Sequence, residues 1–327
     1  MVTATLTDLL FVVLGAAGLW FGAVVLVESA VRIAWRLGIP TLVIGLTVVA
    51  FGTSAPEFVV TIDAALTGKA AVSVGNVIGS NVFNLGFVLG GVALAGALPV
   101  SYDLVQRDGT ALLVAVVLTT AFLVDGQLDR LEGSVLFVAL FAYLSLLATL
   151  SSREPMPETL VGAGDDDGDE PVDLAEVSGF ELLDVPKLLV GLAVVVVGGH
   201  LLVEGAVGIA QAAGISEWVI GATVVAAGTS APEFATSLIA ARRGSAGLSA
   251  GNLIGSSVFN LLGVLGLASL ITPLNVGPAA YPSSIALLVL CLLVVVLLGT
   301  EEELARWEGA LLVVVGFVNW VVGFLAG

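Results

Sequence analysis

Two glutamates carry the chemistry this chain can do. Glu57 and Glu233 each lie in the same heptapeptide, GTSAPEF, at 52–58 and again at 228–234. In both copies a threonine and a serine stand four and three residues before the carboxylate, Thr53 and Ser54 in one and Thr229 and Ser230 in the other. That spacing turns all three side chains one way if the turn stays helical. Pro56 and Pro232 cannot donate a backbone hydrogen bond and crowd the preceding turn, so each helix must break or kink there. Carbonyls freed at membrane depth are tolerable only where they line a cavity or hold an ion. A kink made only for packing needs no carboxylate, and a buried carboxylate is expensive.

A second pair of segments supplies polar complements. Asn76, Ser80 and Asn84 fall at i, i+4 and i+8, and Asn252, Ser256 and Asn260 repeat the pattern. Gly75 with Gly79, and Gly251 with Gly255, make small-xxx-small faces that admit close helix approach. Asn76 and Asn252 are expected mainly to hold the kinked helices. The remaining groups are carboxylates, hydroxyls, amide oxygens and unwound carbonyls, with no histidine inside either motif and one cysteine, Cys291, in an apolar run. Hard cations such as Ca²⁺ and Na⁺ suit an all-oxygen set, whereas zinc and copper favour imidazole or thiolate. Two carboxylates balance one Ca²⁺ or two Na⁺. Mg²⁺ sheds water reluctantly and fits a dry cage less well. These ions are cargo; no cofactor is expected.

The surroundings must therefore be lipid. Of 327 residues 58% are hydrophobic and 11% are charged, with a mean hydropathy of +1.12. Soluble chains carry roughly 25% charged residues. Soluble enzymes and disulfide scaffolds are excluded, and a net charge of −17 opposes nucleic acid. The acid excess points to a host with a salty cytoplasm. Ten spans are expected, at roughly 8–30, 41–66, 71–97, 110–124, 132–150, 186–210, 217–240, 246–271, 283–299 and 307–325. The segments 103–109, 125–129 and 300–306 read as turns between them. The N-terminal apolar run has no positive leader and reads as the first span.

A self-comparison fixes the plan. Shifted by 176 residues, 45–84 falls on 221–260 without a gap, with 25 identities in 40 positions. The same register pairs Glu28 with Glu204. The chain is thus expected to be an all-α membrane protein of two five-helix repeats, 1–150 and 185–327, joined by an acidic linker, 151–184. Five crossings return the second repeat from the opposite face, so the repeats are inverted, and such repeats provide two alternative openings around a midplane site. Placing the N-terminus outside puts Arg32, Arg36, Arg107, Arg153, Lys187, Arg242, Arg243 and Arg306 in the cytoplasm and leaves only Lys69 and Arg130 outside. Both termini are then extracellular.

The linker carries eleven acids against Arg153 and reads as solvated chain. Asp165, Asp167, Asp169 and Glu176 match four positions of a calcium loop, but Glu170 occupies the position that needs glycine and Pro171 follows it. His200, the single histidine, reads as a packed residue of the sixth span. Asp63 is not duplicated, since Ile239 takes its place; it reads as a residue of the outer vestibule or of a solvated helix end.

The paired GTSAPE and GN-x-x-GS-x-x-FN segments resemble the α-repeats of the cation/calcium exchanger superfamily, most of all its prokaryotic Na⁺/Ca²⁺ exchangers. The resemblance implies Na⁺-driven Ca²⁺ movement through competing sites at the repeat interface of a cell-membrane protein. Carried over by position, Glu57, Glu233, Thr53 and Thr229 would hold Ca²⁺. Na⁺ would use Glu57, Ser80, Thr229, Ser256 and the Ala226 carbonyl on one side, and Thr53, Ser54, Ser230, Glu233 and the Ala50 carbonyl on the other. Asn84 and Asn260 would lie between the glutamates. Some K⁺-dependent relatives have aspartate where this chain has Asn260, which argues against K⁺ cotransport. An H⁺- or K⁺-linked exchanger and a passive cation channel remain the alternatives. An intramembrane enzyme would need a base beside Ser54 or Ser230, and none is near.

Overall fold

The computed structural model describes residues 2–102, 104–151, 183–213, 226–277, 280–300 and 303–326. Most of the acidic linker and its 165–176 pattern lie outside them. In lipid every backbone group must be satisfied within its own segment, and helices do this. The helices are α1 (Val2–Leu37), α2 (Thr41–Thr53), α3 (Ala55–Leu66), α4 (Ala70–Ala95), α5 (Leu104–Asp125) and α6 (Arg130–Ser151). The second half repeats them as α7 (Asp184–Ala212), α8 (Ala226–Thr229), α9 (Ala231–Arg242), α10 (Ala246–Ile271), α11 (Ala280–Leu298) and α12 (Arg306–Ala326). Seven described helices are individually long and apolar enough to cross a bilayer, and the bent pair α2–α3 makes an eighth. With α12 and the segment ending in α9 they make the ten spans of two inverted five-helix repeats.

The halves are interlaced. α1 lies along α7, α4 against α12, α5 against α11 and α6 against α10, so each long helix packs on its counterpart's side of the repeat. Two short antiparallel ladders tie the ends. β1 (Leu98–Pro99) pairs with β4 (Glu303–Leu304), and β2 (Gln127–Leu128) pairs with β3 (Leu274–Asn275). Each joins a turn of one repeat to a turn of the other. Glycine admits close approach of α1 and α7: a Cβ on Gly198 of α7 would lie 2.7 Å from the Leu19 backbone nitrogen of α1.

Two expectations change. Leu104–Gly109 is helical rather than turn, wound as a π-helix that begins α5. Asp108 is fully buried there, paired with Arg107 at 3.0 Å and accepting a hydrogen bond from the Tyr143 hydroxyl at 3.0 Å. Those partners let a charged pair enter the bundle; sequence alone marks it as a break. His200 is not packed either, for its side chain is 77% exposed and lies 3.7 Å from Glu204 one turn along.

Candidate cation site

Both motif helices break beside the proline, at the serine two residues before it. α2 ends at Thr53, Ser54 leaves the helical region with ψ 9°, and α3 restarts with Pro56 in its first turn. There the missing N–H costs nothing, because first-turn donors have no intrahelical partner. The axes of α2 and α3 differ by 49°. The second copy breaks alike, at Ser230 with ψ 5°, before α9 starts with Pro232. Glu57 and Glu233 therefore sit in the first turns of α3 and α9, where the helix dipole favours negative charge.

The two breaks meet. The Ser54 hydroxyl donates to Glu233 Oε1 at 2.9 Å, and the Ser230 hydroxyl donates to Glu57 Oε1 at 3.1 Å. Sequence spacing suggested that each serine would face its own glutamate; the structure exchanges the partners between repeats. All four side chains are fully buried. Glu57 Oε2, Glu233 Oε2 and the amide groups of Asn84 and Asn260 are also buried and have no hydrogen-bond partner among the described residues. An unsatisfied buried polar group costs about 1–3 kcal/mol, more when charged. Oxygens left this way are what a cation with its coordination shell would satisfy.

The supporting groups come from five helices. The Ala50 carbonyl accepts from the Ser54 amide at 3.1 Å, the Thr53 hydroxyl at 3.4 Å and the Ser256 hydroxyl at 3.4 Å. Thr53 also donates to Asn252 Oδ1 at 3.2 Å. Asn252 in turn donates to the Glu233 carbonyl at 3.4 Å and to Ser237 at 2.9 Å. Asn76 does the same in the first repeat, to the Glu57 carbonyl at 3.2 Å and to Thr61 at 3.0 Å. The two asparagines thus hold the broken helices, as expected. Thr61 and Ser237, their anchors, are repeat-paired hydroxyls four residues past each glutamate, a signal present in the sequence and passed over.

Ser80 donates to the Val77 carbonyl at 3.2 Å and is buried. Thr229 ends α8, and Ala226 begins it. The two ligand groups carried over by resemblance are not separate in space: Ser230 joins Glu57, and Ser256 joins Ala50. Asn84 and Asn260 lie in matching π-helical stretches, Phe83–Val88 and Phe259–Val264, a distortion frequent at functional sites. Among the described residues no three His, Cys, Asp or Glu cluster to hold a metal. Any bound cation must rely on two carboxylates and neutral oxygens.

Comparison with known proteins identifies the family and the fold. The profile of the sodium/calcium exchanger protein family matches residues 7–149 and 186–325. A putative antiporter, CaxA, of Alkalimonas amylolytica is 35% identical over 93% of this chain and 94% of its own. The sodium/calcium exchanger MaX1 of Methanosarcina acetivorans is 31% identical over 93% of this chain and 95% of its own. A solved structure of the sodium-calcium exchanger NCX_Mj superposes with a TM-score of 0.82 at 30% identity, covering 97% of this chain and 99% of that one. Matched by one family profile in both halves and by an exchanger fold along nearly its whole length, the chain is a multi-pass cation antiporter belonging to the sodium/calcium exchanger protein family.

Proposed function

We propose that the protein exchanges Na⁺ for Ca²⁺ across the cell membrane, both ions using the site between Glu57 and Glu233. The observation that carries this is the reciprocal pairing of Ser54 with Glu233 and Ser230 with Glu57. It brings two carboxylates to one place and leaves an oxygen of each without a hydrogen-bond partner among the described residues. Two negative charges suit one Ca²⁺. The same charges, with the hydroxyls of Thr53, Ser54, Thr229, Ser230, Ser80 and Ser256 and the Ala50 and Ala226 carbonyls, suit Na⁺ ions in its stead. Competition for one oxygen set couples the two ions without any separate device. Asn84 and Asn260 supply neutral oxygens between them, and an amide at Asn260 leaves no added carboxylate for K⁺.

The orientation follows the basic residues, with the N-terminus outside. Arg32, Asp184 and Arg243 then belong to the cytoplasmic end, where Arg32 pairs with Asp184 at 2.9 Å and Arg243 pairs with Glu28. The acidic linker is cytoplasmic in this arrangement, and the 1–150 and 185–327 repeats each cross five times.

Proteoliposomes decide the coupling. With Na⁺ inside and ⁴⁵Ca²⁺ outside, an outward Na⁺ gradient drives Ca²⁺ uptake, and removing K⁺ changes nothing. Uptake that ignores Na⁺ and follows an imposed pH gradient would assign the chain to proton-linked exchange. Uptake that runs down the Ca²⁺ gradient without any counter-ion would make it a channel.

A further inference from the structure

The two gates of an inverted repeat use equivalent residues, and here they are unequal. At the cytoplasmic end α1 packs along α9. Glu28 pairs with Arg243, and Val24 and Ile239, each four residues earlier, lie in one hydrophobic cluster. Ile239 is 3% exposed. As the first and seventh spans, α1 and α9 cross in the same direction, so the Glu28–Arg243 pair sets Val24 level with Ile239. The equivalent helices of the other gate are α7 and α3, which share no packed interface among the described residues. The packed contact is thus made on one side and not on the other.

Shifting the closed register by 176 residues gives the contacts of the open gate once it shuts. Glu28 becomes Glu204 and Arg243 becomes Thr67; Val24 becomes His200 and Ile239 becomes Asp63. The chain's single histidine and the acid that the repeat does not duplicate thus occupy facing positions. Both are exposed now, and His200 leans on Glu204 of its own helix at 3.7 Å. Closure on the pattern of the inner gate would bury Asp63 as Ile239 is buried. A buried carboxylate needs a donor. Thr67 is a poor one, since its hydroxyl already donates to the Asp63 backbone carbonyl at 2.8 Å. The imidazole of His200 carries an N–H even when neutral.

We propose that Asp63 and His200 form the closing contact of the outer gate, made only when α3 meets α7. His200 then passes from Glu204 to Asp63 in each transport cycle, and the inner gate closes instead on the apolar cluster that holds Val24 and Ile239. The assignment rests on the exchange reading above for its sidedness and for the alternation of the two gates.

The test is cross-linking of Asp63→Cys with His200→Cys in a Cys291→Ala background, in proteoliposomes. Val24→Cys with Ile239→Cys serves as the inner-gate standard. Disulfide formation requires Cβ atoms within about 3.5–4.5 Å. The outer pair is expected to cross-link during turnover, to stop ⁴⁵Ca²⁺ uptake, and to release it on reduction. Separately, Asp63→Asn and His200→Gln should each slow turnover about tenfold, as loss of one charge-assisted hydrogen bond does, while equilibrium Ca²⁺ binding is kept. The exchanged pair, Asp63→His with His200→Asp, should recover much of the rate. Inner cross-linking and continued uptake with no outer cross-link at any ion condition would overturn the proposal. That failure is distinct from failure of the exchange reading, which shows as uptake indifferent to Na⁺ whichever pair cross-links.

Discussion

Ser54 of the first repeat donates its hydrogen bond to Glu233 of the second, at 2.9 Å, rather than to Glu57 three residues along its own chain. Ser230 returns the contact to Glu57 at 3.1 Å. The site is therefore a crossed pair, and neither repeat completes it alone. A double-mutant cycle reads this directly. Ser54→Ala should weaken Ca²⁺ binding about 10–100-fold, the worth of a hydrogen bond of about 1.5–3 kcal/mol to a charged group. Combined with Glu233→Gln its effect should be far from additive, and combined with Glu57→Gln close to additive. Calorimetric Ca²⁺ affinities of the three single and two double variants check it; equal coupling to both glutamates would contradict the crossed arrangement.

Either carboxylate should be indispensable for the divalent ion. Glu57→Gln or Glu233→Gln keeps shape and one oxygen but removes half the site's charge. Ca²⁺ loses twice the Coulomb attraction that Na⁺ loses at equal distance, and low dielectric enlarges the gap. Ca²⁺ flux should vanish in both variants to the same degree, while both fold and insert, because a neutral amide is cheaper to bury. ⁴⁵Ca²⁺ uptake by purified, monodisperse variants is the measurement. Normal transport by the Glu233 variant beside a dead Glu57 variant would break the shared-site description.

The asparagine clamps should act on stability before transport. Asn252 is fully buried and makes three hydrogen bonds, to Thr53, Ser237 and the Glu233 carbonyl. Asn76 is partly buried and makes two, to Thr61 and the Glu57 carbonyl. Asn252→Ala should lower the melting temperature in detergent more than Asn76→Ala, each stranded buried partner costing about 1–3 kcal/mol. Thermal unfolding of the two variants compares them, and Asn252→Asp tests whether the shape without the donor suffices.

Close helix approach should tolerate no added carbon. A Cβ on Gly255 of α10 would stand 2.6 Å from the Leu46 carbonyl of α2, and one on Gly251 2.6 Å from the Leu42 carbonyl. Both obstacles are backbone, so α10 must move away from the broken helix, and overpacking of this kind costs about 1–3 kcal/mol. Gly255→Ala should therefore lower both thermal stability and Ca²⁺ affinity, since Ser256 sits on the next residue and reaches Ala50. Unchanged binding in a stable Gly255→Ala protein would show that the approach is not what seats Ser256.

Much of this molecule is local, and local features are legible in the chain. Hydropathy makes the spans because lipid offers no partner for a free amide. Proline at 56 and 232 makes the breaks because it lacks a donor, and an odd number of spans inverts the duplication. The polar side chains in GTSAPE and GN-x-x-GS offer only oxygen ligands and amides, a set that suits hard cations. Tertiary structure decided what depends on which surfaces meet. Ser54 finds Glu233 because two breaks, 179 residues apart in this pairing, are pressed together, and spacing along one helix could only suggest Glu57. Asp108 enters a helix because Tyr143 of α6 reaches it. His200 stands exposed beside Glu204 because of how α7 packs, which hydropathy along one span cannot tell.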